Sequence, residues 1–271
     1  MTKFFAITLA SSVLMTSTAL AGGHCAAGKT LTEGKFTIAT GNPAYYPWVM
    51  DDAPESGKGF EAAVAYAVAG EMGFAAEDVV WVRSSFDEAI QPGAKNFDVN
   101  MQQYSITPER DEVVDFSTPY YSAPMAVLVS PGATETPPTL AALKAMKWGG
   151  VGTTTAVSKL TDVVQPDSDI LLYGDNADVN AAISANQIDA ALFDLPTALF
   201  LSAVMIEGSK VIGQFPADAG DDLDQFGMLF EDGNPLKTCV DEALATLIEN
   251  GALAAIEAEW LQDTTGVPLI K

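Results

Sequence analysis

One arginine, Arg110, stands where it could bind a carboxylate. It ends the run Ser105–Arg110, which follows a segment of alternating apolar residues, Phe97–Met101, that predicts a buried strand. The chain then returns through an aromatic, proline-marked segment, Val114–Tyr121. An arginine held in this way is a rigid fork that makes two charge-assisted hydrogen bonds to a carboxylate in one plane. The alternative is a surface arginine in a turn that starts a helix.

The elements that must position this arginine alternate between strand and helix patterns. Strands are predicted at Phe36–Thr40, Val79–Val82, Phe97–Met101, Ala126–Val129, Trp148–Val151, Ile170–Tyr173, Ile188–Phe193 and Gln225–Phe230. The main predicted helices are Phe60–Met72, Phe86–Ile90, Leu140–Met146, Leu195–Ile206, Leu236–Glu249 and Ala252–Leu261. This order predicts an α/β fold with parallel strands covered by helices. The chain is long enough for two compact lobes.

The first residues are typical of a secretory signal peptide. Lys3 precedes an apolar run, Phe4–Leu14, and Ala19-Leu20-Ala21 fits a small-x-small cleavage site. The apolar run is too short and too rich in Ser and Thr for a membrane-spanning helix. We therefore expect residues 1–21 to be a cleaved signal peptide and the mature protein to be exported.

Charge and cysteine content narrow the possible partners. The formal net charge of −23 without a basic patch predicts no nucleic-acid partner. The two cysteines, Cys25 and Cys239, predict one disulfide in an oxidising compartment. With a single histidine, His24, they cannot form a structural zinc site of the usual kind, so we expect neither a metal nor a cofactor.

Seven short segments share a characteristic order and spacing. They are Ala44–Trp48, Gly59–Glu61, Phe86–Ile90, Ser105–Arg110, Asp115–Tyr121, Gly152–Thr154 and Asp189–Asp194. Together they resemble the polar amino acid-binding proteins of periplasmic ABC importers, the solute-binding protein family 3. The resemblance implies a two-lobed periplasmic binding protein type II fold of the Venus-flytrap kind. Each lobe would be a parallel-rich sheet flanked by helices, and two crossing strands would join lobe 1 (22–123 plus 214–271) to lobe 2 (124–213).

The resemblance also implies how a zwitterionic ligand would be held in the cleft. Arg110 would pair with the α-carboxylate, helped by backbone N–H groups of Gly152-Thr153-Thr154 at a strand-to-helix junction. Asp194, at the end of a predicted strand, would accept hydrogen bonds from the α-ammonium. Without the resemblance, the Gly-Thr-Thr segment and Asp194 both fit ordinary helix caps.

Further residues are implied around these charges. Ser105 and the backbone around Gln103 would complete the hydrogen bonds of the zwitterion. Tyr45 and Phe86 match two aromatic walls that sandwich the ligand side chain, with core packing as the alternative. Asn42 stands where many relatives that bind basic amino acids carry an acidic residue, so the resemblance does not imply selection for lysine or arginine.

Three features near the predicted cleft have open interpretations. Arg83 follows a strand and either reaches the cleft mouth or is solvated. The segment Asp51–Lys58 is longer and more acidic than the resemblance predicts. Trp48 lies just past the predicted pocket, where we expect a core residue.

The predicted function is an extracytoplasmic receptor that captures a free L-amino acid and delivers it to an inner-membrane ABC permease. We expect a periplasmic monomer that closes by hinge motion and has no enzymatic activity. A Ser-His-Asp or Cys-His mechanism lacks a base, because His24 lies beside the cleavage site. The alternative is a cyclohexadienyl dehydratase-like enzyme on the same scaffold, which would need a general acid in the cleft.

Overall fold

The computed structural model of the chain describes residues 25–216, 224–261 and 266–271. The predicted signal peptide at 1–21 and the histidine at position 24 lie outside the described residues. In the part of the chain that is described, no helix combines the length and the apolar character needed to cross a bilayer.

Strands and helices alternate along the described residues. The strands are β1 (Phe36–Thr40), β2 (Val79–Arg83), β3 (Val99–Asn100), β4 (Val114–Phe116), β5 (Tyr121–Ala123), β6 (Met125–Val129), β7 (Gly149–Val151), β8 (Leu171–Tyr173), β9 (Ala190–Asp194), β10 (Lys210–Gln214), β11 (Asp224–Phe226) and β12 (Leu229–Glu231). The helices are α1 (Phe60–Glu71), α2 (Phe86–Ala89), α3 (Pro108–Asp111), α4 (Leu140–Lys144), α5 (Thr155–Lys159), α6 (Asn176–Ser184), α7 (Leu195–Phe200), α8 (Lys237–Glu249) and α9 (Ala252–Trp260). Helices α5 and α7 each continue into one wider π-type turn, at Leu160–Val164 and Leu201–Met205.

The first lobe is built on a five-stranded sheet with the order β2–β1–β3–β12–β4. Strand β1 is parallel to β2 and β3, because α1 and α2 return the chain over the sheet between them. Strand β12 arrives late in the chain and runs antiparallel to β3 and β4. Helices α1, α8 and α9 pack together on this sheet, and Phe36, Trp48 and Phe60 are fully buried in the core.

The second lobe has a three-stranded and a two-stranded sheet, linked by an isolated bridge between Trp148 and Ala190. Strand β6 lies between β9 and β10 and is antiparallel to both, whereas β7 and β8 are parallel. All five residues of β6 are buried, and its alternate side chains enter two cores, one on each face. Strands β6 and β10 carry the chain into and out of this lobe, which explains why they interrupt the parallel arrangement expected from the sequence.

A two-stranded ribbon joins the lobes. Strands β5 and β11 pair antiparallel, with Asp224 opposite Ala123 and Phe226 opposite Tyr121. The sequence predicted one return strand at Gln225–Phe230, and this prediction was wrong because β11 and β12 belong to different sheets. The break falls at Gly227, whose N–H donates to the Tyr104 carbonyl at 3.1 Å. A run of apolar residues does not reveal where a strand changes partner.

Both ends of the described chain are fastened. The predicted disulfide between Cys25 and Cys239 is present and ties the N-terminal segment to α8. Residues 266–271 pack against the second lobe, where the Lys271 N–H donates to the Pro138 carbonyl at 3.1 Å and the Leu140 N–H donates to the Lys271 carbonyl at 2.9 Å. The boundaries drawn from the sequence assign this tail to the first lobe, whereas its contacts lie with the second.

Candidate functional site

A cavity of about 300 Å³ lies between the lobes. Its wall comes from segments that follow the carboxyl ends of β1, β2 and β3 in the first lobe and of β7, β8 and β9 in the second. Residue Asp224 of the crossing ribbon completes it. Ligands of α/β proteins bind at this edge of their sheets, so the cavity is the candidate site.

The Arg110 side chain is held in the cavity wall by hydrogen bonds to the backbone carbonyls of two other residues. Thr107 caps α3 by accepting a hydrogen bond from the Arg110 N–H at 3.3 Å. The guanidinium Nη1 donates to the Ser105 carbonyl at 2.7 Å and Nη2 to the Thr153 carbonyl of the other lobe at 3.0 Å. Burial lowers the pKa of Arg110, yet an arginine stays cationic at neutral pH. Two of its five N–H donors hold the carbonyls, which leaves donors for a ligand carboxylate.

Only one residue of the Gly152–Thr154 segment lines the cavity. Thr154 lines the cavity, and both its N–H and its hydroxyl donate to the Val151 carbonyl, at 3.1 and 2.7 Å. Gly152 and Thr153 are exposed and do not line it, and the Thr153 hydroxyl donates to Asp87 Oδ1 at 2.5 Å. The next residue, Thr155, lines the cavity, although sequence reasoning did not single it out.

Asp194 lies where β9 ends and α7 begins. Its Oδ1 accepts a hydrogen bond from the Thr197 N–H at 2.8 Å, so the residue caps the helix. It also lines the cavity, which means that the capping and ligand-facing interpretations hold together. Burial raises the pKa of Asp194 to about 6, and the charge of Asp224 raises it further.

Glu61 is a cavity residue that sequence reasoning missed. It is 1% exposed, and its carboxylate accepts bonds from the N–H and side-chain amide of Gln103, at 2.8 and 2.6 Å. The Tyr120 hydroxyl makes a third, short bond to it. Burial raises the pKa of Glu61 to about 7. The signal was present, since Glu61 belongs to the quoted segment Gly59–Glu61.

Aromatic residues form the walls where the sequence placed them. Tyr45 lines the cavity and accepts a hydrogen bond from the Ala177 N–H of the other lobe at 3.3 Å. Burial raises the pKa of the Tyr45 phenol to about 12, and the charge of Asp175 adds to the effect. Phe86 stacks on Tyr104 with ring centroids 4.5 Å apart.

The remaining predicted positions lie in the same wall. Ser105, Gln103 and Asn42 all line the cavity, so every predicted site residue except Gly152 and Thr153 does so. Gln103 adopts a left-handed conformation, with φ of 51°, and Glu61 holds both of its amide groups.

Arg83 has a structural role at the cavity mouth. Its guanidinium pairs with Asp52 Oδ1 at 2.6 Å and donates to the carbonyls of Gly41 and Asp52, each at 2.7 Å. This arginine therefore anchors the acidic segment Asp51–Lys58 to the loop after β1. Trp48 is fully buried, as expected, and its Nε1 donates to the Thr197 hydroxyl of the other lobe at 2.8 Å.

Solved structures with the same two-lobed architecture place the chain in the type II periplasmic binding protein class. An ancestral arginine-binding protein bound to arginine aligns with a TM-score of 0.71 at 24% identity, covering 85% of this chain and 99% of its own. The ancestral amino acid-binding protein AncCDT-1, a precursor of cyclohexadienyl dehydratase, aligns with a TM-score of 0.69 at 23% identity, covering 84% and 95%. At these identities the likeness shows the fold.

The chain belongs to the bacterial extracellular solute-binding proteins, family 3, whose family model matches residues 37–263. This match confirms the resemblance seen in the seven segments. The chain is 31% identical to the L-cystine-binding protein TcyJ of Escherichia coli strain K12 over 169 residues, 62% of this chain and 61% of the relative. It is 28% identical to an L-arginine-binding protein of Pseudomonas aeruginosa strain PAO1, over 56% and 58% of the two chains. Each match spans about three fifths of the relative's length.

Proposed function

We propose that this protein is an extracytoplasmic receptor that captures a free L-amino acid between its lobes. The observation that carries the proposal is an interlobe cavity in which a buried cation, Arg110, and a half-buried carboxyl group, Asp194, are supplied by different lobes. A zwitterion offers one group to each of them, and a molecule with a single charge would leave the other unpaired. The names of the relatives, which bind cystine and arginine, support an amino acid as the ligand.

The ligand would be held along its whole length. Arg110 takes the α-carboxylate, and Thr154 adds a donor when its hydroxyl turns from the Val151 carbonyl to the ligand. Asp194 and Ser105 take the ammonium, and Gln103 supplies backbone contacts. Tyr45 and Phe86 enclose the side chain, with Asn42 at its far end. Gly152 and Thr153 act behind the wall, since their segment carries the carbonyl that fixes Arg110.

Closure would be a population shift. The ligand contacts both lobes only in the closed state, so it favours that state by the free energy of the added contacts. The lobes, drawn from the sequence as 22–123 plus 214–271 and 124–213, would rotate about the β5–β11 ribbon, with the tail 266–271 moving with the second lobe. The closed form would then be presented by a periplasmic monomer to an inner-membrane ABC permease, without a cofactor or enzymatic step.

A thermal-shift screen of the ligand-stripped protein against the common L-amino acids tests this function. A ligand that binds only the native state raises the melting temperature by mass action, so one chemical group of amino acids should give large shifts. Arg110→Ala should lose these shifts, because an unpaired ligand carboxylate would be buried. Arg110→Lys is the matched control, and it should retain part of the affinity because it keeps the charge but loses the fork.

Two results would contradict the proposal. Unchanged shifts in the Arg110→Ala variant would place the ligand carboxylate elsewhere. Turnover of a cyclic carboxylic acid such as prephenate, without any amino acid shift, would favour the dehydratase alternative. That chemistry would need a general acid from the five acidic residues of the cavity wall, of which Glu61 and Asp194 already accept hydrogen bonds from Gln103 and Thr197.

A further inference from the structure

We propose that Asp224 is a specificity residue of the cleft, which makes it favour amino acids with a cationic side chain over those with an anionic one. The inference rests on the proposed function and names the ligand class of that site. Neither the motifs nor the family match assigns a role to this residue.

Asp224 lies where its side chain is linked by hydrogen bonds to both lobes. It begins β11 in the crossing ribbon and lines the cavity. Its Oδ2 accepts a hydrogen bond from the hydroxyl of Thr155, the first residue of α5 in the second lobe, at 3.1 Å. The Thr155 hydroxyl is in turn 3.1 Å from the Ser105 hydroxyl of the first lobe. The carboxylate is therefore held at the junction of three elements.

The charges around the cavity do not balance for an ordinary zwitterion. Among the described residues of the wall, Arg110 supplies the only positive charge, whereas Glu61, Asp87, Asp175, Asp194 and Asp224 are acidic. Lys159 lies outside the wall, and its positive charge lowers the pKa of Asp224. Its ammonium is 5.2 Å from the centre of the Phe215 ring. In the proposed pose the ligand carboxylate pairs with Arg110 and its ammonium with Asp194, so Asp224 has no counter-charge on the ligand.

The missing counter-charge is costly because the Asp224 carboxylate is largely removed from water. The pKa of Asp224 is raised by burial, although the hydrogen bonds from Thr155 and Ser105 and the charges of Arg110 and Lys159 oppose the rise. A carboxylate removed from water is costly unless a cation compensates it. A second positive group on the ligand would supply that cation, whereas a carboxylate in the side chain would add repulsion.

The negative charge that would select a cationic side chain comes from Asp224 and not from position 42, where many relatives that bind basic amino acids carry an acidic residue. Asn42, in the loop after β1, is neutral and lines the cavity. Asp224 places a negative charge at the same cavity from the crossing ribbon instead. Aromatic faces at Tyr45 and Phe86 fit a cationic stem equally well.

Isothermal titration with L-arginine, L-glutamine and L-glutamate tests the inference, because the three side chains differ in charge and glutamine matches glutamate in length. The native protein should bind arginine at least about tenfold more tightly than glutamate, since like charges in a buried site repel strongly. Asp224→Asn keeps an oxygen that can accept from Thr155, and it should reduce the arginine-to-glutamate ratio about tenfold. The matched control is Asp162→Asn, which changes the net charge equally at an exposed position outside the wall and should leave the ratio within about twofold.

The outcomes separate the two proposals. If no amino acid binds the native protein, the proposed function fails and this inference falls with it. If amino acids bind but arginine is not favoured over the other two ligands, the inference alone is overturned. An unchanged ratio in a folded Asp224→Asn variant would also overturn it, with folding checked by the melting temperature.

Discussion

Asp194 shows how one residue can serve the fold and the ligand at the same time. One carboxylate oxygen caps α7 through Thr197, while the group as a whole faces the cavity. The two roles are separable by chemistry, because asparagine is as good a helix cap as aspartate but carries no charge. A substitution can therefore remove the counter-charge and leave the element intact.

Asp194→Asn should weaken amino acid binding by about tenfold to a hundredfold, since a charge-assisted hydrogen bond to the ammonium becomes a neutral one. Its melting temperature at pH 7 without ligand should be at or above that of the native protein, because the amide keeps the helix cap and removes the charge whose burial raises the pKa of Asp194. Isothermal titration and a thermal scan measure the two effects. Full retention of affinity would place the ammonium site at another residue.

Glu61 predicts an unusual dependence of stability on pH. Its pKa is about 7 in the folded protein, against 4.5 for a free side chain, because it is buried. Below pH 4.5 both states hold the proton. As the pH rises from 4.5 to 7, only the unfolded chain releases it readily, so the free energy of unfolding falls, by about 3 kcal/mol in total.

Glu61→Gln removes this titration and keeps an oxygen that can accept from the Gln103 N–H. Relative to this variant, the native protein should lose about 3 kcal/mol of unfolding free energy between pH 4.5 and pH 8. Denaturant unfolding at several pH values measures the difference. The other acidic groups of the cavity are common to both proteins, so parallel curves would contradict the prediction.

Single residues were predictable where a motif marks them and not where the fold brings them in. Arg110, Asp194 and Ser105 lie in quoted segments and line the cavity. Asp224 follows a stretch with three further acidic residues, at positions 218, 221 and 222, and nothing local distinguishes it. Its position depends on the pairing of β11 with β5, about 100 residues earlier in the chain.

At the scale of elements, the start of α1 shows how close packing selects a residue. Gly59 has φ of +100°, and a Cβ there would lie 2.5 Å from the Trp48 carbonyl oxygen. Gly70, in the same helix, has open space around it. Replacement by alanine should therefore have opposite effects on stability at these two glycines.

Gly59→Ala should lower the free energy of unfolding by about 1–3 kcal/mol or more, from backbone strain and the clash with Trp48. Gly70→Ala should raise it by about 0.5–1 kcal/mol, because alanine is the better helix former. Urea unfolding of both variants gives the two values. Equal effects would mean that the chain at Gly59 can shift without cost.

Most elements were predictable because their hydrophobic patterns are regular. Strands β1, β2 and β6 and helices α1, α8 and α9 lie within a residue or two of their predicted bounds. The return strand was not predictable, because the apolar run Phe226–Phe230 is divided between β11 and β12, which belong to two sheets. Local pattern carries no information on such a change of partner.

For the whole molecule, the sequence and the structure give Thr153 different roles. The resemblance implies that its backbone N–H contacts the ligand, whereas in the structure Thr153 does not line the cavity and its hydroxyl donates to Asp87 on the other lobe. We call this Thr153–Asp87 hydrogen bond the mouth contact. It joins lobes that must separate when the cleft opens, so it would stabilise the closed state alone.

A double-mutant cycle distinguishes the two roles. Thr153→Val and Asp87→Ala should each raise the dissociation constant about threefold to tenfold, as expected for one partly exposed hydrogen bond to a charged group. The double variant should be no worse than either single one, because both changes remove the same mouth contact. The loss should appear mainly in the dissociation rate, since the contact forms only after the ligand has entered. Additive losses would mean that the two side chains act independently, and closure would then depend on Trp48 and Arg110 without the mouth contact.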